Sequence, residues 1–401
     1  MTGIAPFSIG RLPRIVFGAG VSAGIAKETR AFGARALVVT GRRSFRESPR
    51  WADFEEGCRQ AGLEIETMTV EDEPSPELID EAVARFCPAG IAAVVGIGGG
   101  SALDAAKAIA GLVVPGNSVM DHLEGVGRGV PYEGPALPFI AVPTTAGTGS
   151  EATKNAVLSR RGPKGFKKSF RDEQLMARVA LVDPALLIGC PAAQIAANGM
   201  DALTQLLESY VSPRANPMTD TLAWSGMQAF RKGFFAAWER AGSTDSAACM
   251  GRSCAAYASL MSGITLAQTG LGVVHGLASP LGAFLPIAHG IACGTLLAVA
   301  TEINIRALRL RDPGGPALAK YAEAGRLLSG RDDLEPQHTL DLLVETLFEW
   351  GERLQIPSLG ALGMSRADVS RVVGASGGTS MKTNPVMLGN DEIAEILERR
   401  L

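Results

Sequence analysis

The sequence lacks several features that mark secreted, membrane and nucleic-acid-binding proteins. Its six cysteines include no Cys-x-x-Cys pair, and their scatter through apolar segments suits reduced thiols packed as small hydrophobic side chains. A net charge of −3 provides no basic surface for holding nucleic acid or an anionic membrane. Residues 1–10 show no charged segment followed by an apolar run, so no signal peptide is expected. These absences predict a cytoplasmic protein without a nucleic-acid or membrane partner.

Uninterrupted apolar runs are missing as well. The most apolar region, 271–300, is broken by Pro280, Pro286 and two histidines before the ~18 apolar residues of a membrane-spanning helix accumulate. We therefore expect buried core helices in this region.

The pattern of apolar residues changes near the middle of the chain. A chain of 401 residues is too long for one ordinary core, and about two or three domains are expected. Up to residue 184, short β-branched runs alternate with helical stretches, which is typical of a parallel sheet covered by helices. After Asp183-Pro184, long apolar-periodic stretches take over. We predict a Rossmann-like α/β dinucleotide-binding domain over 1–184 and an all-α domain over 185–401.

The pattern also predicts individual elements. Strands are expected at 14–17, 36–40, 63–70, 91–97, 139–142 and 179–182. Helices are expected at 76–86, 192–212, 217–240, 246–269, 288–303, 317–329, 339–354, 365–376 and 391–400.

A glycine-rich loop is the first nucleotide-binding signal. Gly98-Gly99-Gly100-Ser101 follows an apolar strand and opens a helix that carries Asp104 and Lys107. Glycines let backbone N–H groups approach a phosphate, and a helix N-terminus adds partial positive charge there. A tight strand-to-helix turn without a ligand is the alternative explanation.

A second glycine motif, Gly18-Ala19-Gly20 through Ala23, fits the dinucleotide fingerprint but has no acidic residue at the next strand end. We interpret it as a structural turn. That strand end reads Gly41-Arg42-Arg43-Ser44, and arginine in place of an acid favours a 2′-phosphate. Gly41, Arg42 and Ser44 are thus candidate cofactor-binding residues, and NADP(H) is favoured over NAD(H). A merely solvated loop is the alternative.

The third signal is the hydroxyl-rich block 143–151, which contains Thr144, Thr145 and Thr148. It is too long and too rich in hydroxyls for a simple turn. Clustered Thr and Ser beside glycines offer hydrogen-bond donors to phosphate or ribose. Together with the first loop, this block is expected to form a cleft.

Four polar residues in the second half are typical of a divalent-metal site. Asp201 and Gln205 are four residues apart on a predicted helix and share a face. His275 and His289 are two of only four histidines in the chain. A carboxylate and imidazoles suit Fe²⁺ or Zn²⁺, whereas the amide oxygen of Gln205 binds such ions less well. The alternatives are ordinary core histidines, and a Gln205 that binds a water in place of the ion.

In this order along the chain, the motifs resemble the signatures of the iron-containing (group III) alcohol dehydrogenases. The matching elements are Gly98 to Ser101 with Asp104 and Lys107, 143–153, Asp183-Pro184, Gly199-x-Asp201-Ala202-Leu203, His275-Gly276, His289-Gly290 and Ser380-Met381-Lys382-x-Asn384-Pro385. The resemblance spans nearly the whole chain. It implies the architecture shared with dehydroquinate synthase, an active cleft between two domains, and assembly as a homodimer or larger homo-oligomer.

The resemblance also implies roles for single residues. It places Gly99, Gly100, Ser101 and Asp104 at the pyrophosphate and its surroundings, Thr144, Thr145 and Thr148 at the phosphate and nicotinamide, and Lys167 near the nicotinamide ribose. The chain departs from the family pattern at Gln205 and Ser279, where the family has histidines. Ser279, a bound water or the cofactor ribose would then conduct the proton.

The expected reaction is the interconversion of a small alcohol and its aldehyde or ketone, with Asp201, His275, His289 and Ser279 at the catalytic centre. A bound metal would polarise the substrate oxygen during hydride transfer. The apolar stretch 271–285 suggests a weakly polar substrate. One alternative is a metal-independent reductase of the maleylacetate reductase type, and another is a non-catalytic nucleotide-binding homologue. A lyase of the dehydroquinate synthase type is disfavoured because no basic cluster suits a phosphorylated sugar acid.

Overall fold

The structure is a computed structural model that describes residues 3–162, 164–331, 333 and 335–401. The strands are β1 Arg14–Phe17, β2 Arg35–Gly41, β3 Glu64–Val70, β4 Ala93–Gly98, β5 Phe139–Pro143, β6 Asn155–Arg160, β7 Phe166–Arg171 and β8 Val179–Val182. The helices are α1 Ile25–Arg30, α2 Pro49–Gln60, α3 Pro76–Phe86, α4 Gly100–Leu112, α5 Ala192–Val211, α6 Pro217–Glu239, α7 Ser246–Thr269, α8 Val273–Phe284, α9 His289–Arg311, α10 Pro316–Ser329, α11 Pro336–Arg353, α12 Arg366–Ala375 and α13 Asn390–Glu398.

A parallel sheet forms the core of the N-terminal region. Its strand order is β1-β8-β5-β4-β2-β3, and every neighbouring pair is parallel. The central strand β4 is buried along its whole length because helices cover both faces of the sheet. All six predicted strands are present, each within two residues of its predicted ends. The predicted α/β sheet is therefore confirmed.

An antiparallel pair, β6 and β7, was not predicted. The two strands pair from Asn155 with Arg171 to Arg160 with Phe166, outside the main sheet. Their sequences NAVLSR and FKKSFR carry polar and basic residues, and little in them resembles a buried parallel strand. The pair matters for the site because β7 carries Lys167.

The C-terminal region is helical from Ala192 onward, as predicted. Side-chain caps begin two of these helices: the Asn216 side chain accepts hydrogen bonds from two amides at the start of α6, and Ser365 with Asp368 forms a capping box at the start of α12. Helix α9 is long and apolar enough to cross a membrane, but 83% of its most apolar 18-residue window is buried within the protein. It is thus packed as a core helix. Division of the chain into two domains at residue 184 stays a prediction.

The hydroxyl-rich loop after β5 lies directly against the helices. A Cβ on Gly147 would lie 2.7 Å from the Cβ of Asn198 on α5, and one on Gly149 would lie 2.4 Å from the Cα of Gly263 on α7. Gly149 also has a φ of +59°, which favours glycine. This close approach places the loop that follows the carboxyl end of β5 against α5 and α7.

Candidate metal and cofactor site

Three predicted cofactor-binding segments meet at one edge of the sheet. Strands β2, β4 and β5 are neighbours, so the segments that follow Gly41, Gly98 and Pro143 leave the sheet side by side. The amide of Thr144 donates to the carbonyl of Gly98, 2.9 Å away. Ligands of open α/β sheets bind at such carboxyl ends of strands. The structure thus brings the three segments together as one surface.

Glycine is required in this surface because the two loops touch. A Cβ on Gly99 would lie 3.3 Å from Thr145 Oγ1, and one on Gly100 would lie 2.8 Å from Thr148 Cγ2. Helix α4 starts at Gly100, and within the described residues no side chain caps its first amides. Uncapped amides at a helix N-terminus are suited to a phosphate.

Asp104 and Lys107 on α4 hold the loop after β5 in place through hydrogen bonds. Both oxygens of the Asp104 carboxylate are engaged, with the Ser150 hydroxyl at 2.5 Å and the Val157 amide at 3.1 Å. Lys107 is fully buried and donates to the Ser150 carbonyl and hydroxyl, to Thr153 Oγ1 and to the carbonyl of Asn155 at 2.9–3.0 Å. These contacts give both residues a structural role. A contact between Asp104 and the cofactor stays a prediction.

The glycine motif at 18–23 binds a carboxylate group of the protein itself. Oδ2 of Asp183 accepts hydrogen bonds from the amides of Gly20 and Ser22 and from the Ser22 hydroxyl. The buried carboxylate therefore occupies the position that a phosphate takes in a dinucleotide fingerprint. The interpretation of this loop as a structural turn is confirmed.

The arginines that follow β2 reach solvent. Arg42, Arg43 and Ser44 are all exposed, and Arg43 pairs with Glu47 at 3.8 Å. Arg42 is thus the better candidate to meet a phosphate that arrives from the cleft.

The predicted metal ligands Asp201, His275 and His289 converge. His275 Nε2 lies 3.2 Å from Asp201 Oδ1, and His289 Nε2 lies 3.8 Å from the same oxygen. The three side chains come from α5, α8 and the first residue of α9, so three helices meet at one point.

Cys293 is the fourth member of this cluster and was not predicted. Its Sγ lies 3.7 Å from His275 Nε2 and 3.8 Å from His289 Nε2. The ligand atoms of Asp201, His275, His289 and Cys293 all lie within 4.8 Å of one another. Such a set of oxygen, nitrogen and sulfur atoms fits a divalent transition metal.

Glu208 fixes the orientation of one imidazole. Its Oε2 is 2.7 Å from His275 Nδ1, while its Oε1 accepts the amide of Val274 at 2.8 Å. The Nδ1–H therefore faces a carboxylate and the Nε2 lone pair faces the cluster. A carboxylate behind a ligating histidine is the usual support of a metal site.

The charges within the cluster depend on one another. Burial raises the pKa of Cys293 to about 12 and lowers the pKa of His289 to about 4. Burial also disfavours charge on His275, but Cys293, Glu208 and Asp201 outweigh it and raise the pKa of His275 well above its usual value. Likewise, the two histidines outweigh burial and lower the pKa of Asp201. The negative groups around His275 thus favour positive charge at this point of the cluster.

Three other predicted residues lie around the cluster. Gln205 is buried, and its amide oxygen is 2.6 Å from the hydroxyl of Ser262, which donates to it. The hydroxyl of Ser279 points back to the carbonyl of His275 on its own helix, at 3.4 Å. Lys167 pairs with Glu73, and its charge helps to lower the pKa of His289. A ligand role for Gln205, a proton relay through Ser279 and a ribose contact of Lys167 stay predictions.

Sequence reasoning missed Cys293 and did not identify the partner of Glu208, for different reasons. Cys293 follows His289 by four residues, the same spacing that linked Asp201 with Gln205, so the signal was present in the sequence. The interpretation of all cysteines as packed hydrophobic residues obscured it. The contact of Glu208 with His275 spans 67 positions, and no local pattern predicts such a pairing.

Comparison with known proteins agrees with this geometry. Residues 13–184 match the iron-containing alcohol dehydrogenase family, and residues 195–401 match the C-terminal part of the Fe-containing alcohol dehydrogenase family. The chain is 30% identical over 395 residues to NAD-dependent methanol dehydrogenase of Bacillus methanolicus, covering 97% of this chain and 98% of that protein. It is 32% identical over 308 residues to alcohol dehydrogenase 4 of Saccharomyces cerevisiae, covering 76% and 75% of the two chains.

A solved structure agrees as well. The crystal structure of a 1,3-propanediol oxidoreductase superposes with a TM-score of 0.88 at 27% identity, covering 99% of this chain and 100% of the other. The resemblance noted in the sequence is confirmed over both halves. The chain therefore belongs to the iron-containing alcohol dehydrogenase family and is an alcohol oxidoreductase.

Proposed function

We propose that this enzyme interconverts a small alcohol and its aldehyde or ketone by hydride transfer to or from a nicotinamide cofactor, assisted by a divalent metal. The observation that carries the proposal is the convergence of Asp201, His275 and His289 from three helices on one point. When bound, the ion would act as a Lewis acid on the substrate oxygen. Fe²⁺ and Zn²⁺ both suit a carboxylate with two imidazoles.

The chain's own residues hold and orient the reacting groups. Glu208 keeps the proton of His275 on Nδ1, which leaves Nε2 for the ion. Asp201 supplies negative charge that favours binding of a cation. The hydroxyl of Ser279, a water or the cofactor ribose would carry the proton between substrate and solvent. A small alcohol as substrate is supported by two relatives, which are named NAD-dependent methanol dehydrogenase and 1,3-propanediol dehydrogenase.

NADP(H) is the cofactor that we favour over NAD(H). Arg42 is exposed beside the carboxyl end of β2, next to the glycine loops, and no acidic residue follows that strand directly to hold a ribose 2′-OH. The relative from Bacillus methanolicus is described as NAD-dependent, so the preference is a property to test in this chain. A cytoplasmic location and a homodimer or larger assembly remain part of the proposal.

One experiment tests the function directly. Protein purified without chelators is analysed for bound metals, and NADPH- and NADH-dependent reduction is assayed over a panel of small aldehydes and ketones, before and after exhaustive chelation. We expect one bound divalent ion per chain, activity that disappears on chelation, and recovery when the ion is restored. Full activity after chelation would instead favour the metal-independent reductase. Intact cofactor binding without turnover on any compound would favour a non-catalytic homologue.

A further inference from the structure

We propose that Cys293 is itself a metal ligand, which takes the place of the imidazole that this chain lacks at Gln205 and makes the centre an Asp-His-His-Cys site suited to Zn²⁺. The inference rests on the proposed function only in that both use the same centre. It adds a ligand and a metal preference that Asp201, His275 and His289 alone leave open.

Four of the six distances between the ligand atoms are close to those of a tetrahedral site, and every pair lies within 4.8 Å. With metal–ligand bonds of about 2.0–2.3 Å, ligand atoms lie about 3.3 Å apart for nitrogen–oxygen pairs and about 3.6 Å apart for nitrogen–sulfur pairs. Cys293 Sγ lies 3.7 and 3.8 Å from the two imidazole Nε2 atoms, which lie 3.2 and 3.8 Å from Asp201 Oδ1. These four distances differ from the tetrahedral values by about half an ångström or less.

The surroundings of the thiol are unusual for a residue that only fills space. Cys293 is fully buried, and its Sγ faces the Nε2 atoms of both His275 and His289. Cys58, which is buried to a similar degree, lies instead among apolar side chains of α1, α2 and the sheet. The difference between the two cysteines is therefore the polar atoms that they meet, and at Cys293 these are ligand atoms.

Gln205 is a weaker candidate for the same position. Its amide oxygen already accepts a hydrogen bond from Ser262 at 2.6 Å, and an amide oxygen is a poorer ligand for Zn²⁺ than a thiolate. Position 293 lies one helical turn after His289 on α9, so both side chains project from one face of that helix.

A thiolate also changes the charge and the selectivity of the centre. On binding, the Cys293 thiol loses its proton to solvent and a sulfur–metal bond forms. The divalent charge is then balanced by the Asp201 carboxylate and the thiolate, which lowers the cost of burying the ion. Soft sulfur ligands favour zinc over harder ions in mixed sites. We therefore expect zinc to be retained in preference to Fe²⁺.

The test measures metal binding without turnover. Metal-free full-length protein is titrated with Co²⁺ and with Zn²⁺, in the wild type and in Cys293→Ala, Cys293→Ser, Gln205→Ala and Cys58→Ala. Wild type, Gln205→Ala and Cys58→Ala should give a thiolate-to-cobalt charge-transfer band in the near ultraviolet, and both Cys293 variants should lack it. Zn²⁺ affinity at Cys293→Ala should fall by more than about 100-fold, because even the loss of outer-sphere partners costs about 10–100-fold.

The outcomes separate the two proposals. A wild-type cobalt complex without a sulfur band, or equal Zn²⁺ affinity in wild type and Cys293→Ala, would overturn the thiolate ligand even in a fully active dehydrogenase. A sulfur band in a protein without dehydrogenase activity would support this inference and remove the proposed function. Where Cys293→Ala fails to fold, Cys293→Ser provides the same comparison with a side chain of similar size.

Discussion

Two buried polar centres lie at the site, and they differ in what the chain supplies. The Lys107 centre consists of Lys107, Asp104, Ser150, Thr153 and Asn155, and the protein provides its cation. The ammonium donates to four oxygen atoms of the loop and strand that follow β5. The Asp201 centre consists of Asp201, His275, His289 and Cys293, where the chain provides four ligand atoms.

The difference shows how burial alone misleads about function. Both centres hold a fully or almost fully buried charge, at Lys107 and at Asp201. The first is closed by hydrogen bonds within the protein and therefore stabilises the loops that surround the cofactor. The second gathers ligand atoms from three helices around one point, and a bound cation would stabilise this arrangement further. Four changes test or sharpen this contrast.

The largest effect is expected on catalytic activity, from a substitution at the Asp201 centre. His275→Ala should lower kcat/KM by about 10³-fold or more, because loss of the ion removes several kcal/mol of transition-state stabilisation. Bound metal should fall in parallel, and the thermal unfolding temperature of the metal-free protein should fall as well, because the buried carboxylates of Asp201 and Glu208 lose their partner. Steady-state kinetics, metal analysis and calorimetry provide the measurements. His338→Ala, at an exposed position on α11, is the matched control and should leave all three unchanged. An active, metal-loaded His275→Ala would contradict the assignment.

At the Lys107 centre the expected loss is in stability. Lys107→Met should lower the free energy of unfolding by about 3 kcal/mol, because it leaves a buried carboxylate and several buried acceptors without their partner. Urea denaturation of wild type and variant measures this difference. Zn²⁺ affinity of the folded variant should equal that of wild type. If metal binding were lost while stability held, the two centres would not be independent of each other.

A smaller effect is expected at the outer edge of the cofactor surface. Arg42→Ala should raise KM for NADPH by about tenfold, the value of one charge-assisted hydrogen bond to phosphate, and leave KM for NADH nearly unchanged. Arg43→Ala is the matched control, because Arg43 already pairs with Glu47. Equal use of NADH and NADPH by the wild type would show that the arginine after β2 does not read a 2′-phosphate.

The smallest effect is expected at Gln205. Gln205→His should strengthen Zn²⁺ binding by about tenfold or less, since imidazole is a better ligand than an amide oxygen but Cys293 already fills the fourth position. The dissociation constants of both proteins, measured by competition with a chelator, provide the comparison. Unchanged affinity would mean that the side chain at 205 does not face the ion.

Local sequence patterns predicted most of the fold and part of the site. Strands and long helices follow from hydrophobic periodicity and capping residues, which act over a few positions, as at Ser365 and Asp368. The pair β6 and β7 was missed because its basic sequences resemble exposed loops. Asp201, His275 and His289 were found as rare residue types in matching blocks, and their convergence needed the structure.

The remaining contacts depend on tertiary packing. Asp183 fills the glycine loop at Gly20 from 163 positions away, and Asp104 reaches Val157 across 53 positions. No periodicity relates residues at such separations, because the chain path between them sets which atoms meet. The turn at Gly20 was nevertheless interpreted correctly, since the missing acid after β2 is itself a local signal.

The uneven exposure of the four clustered side chains has a consequence for how the enzyme is assembled. Asp201, His275 and Cys293 are buried, whereas His289 keeps 25% of its side chain accessible, and Lys167 and Glu73 lie close enough to act on its charge. An ion that arrives from solvent is therefore expected to meet His289 before the other three ligands.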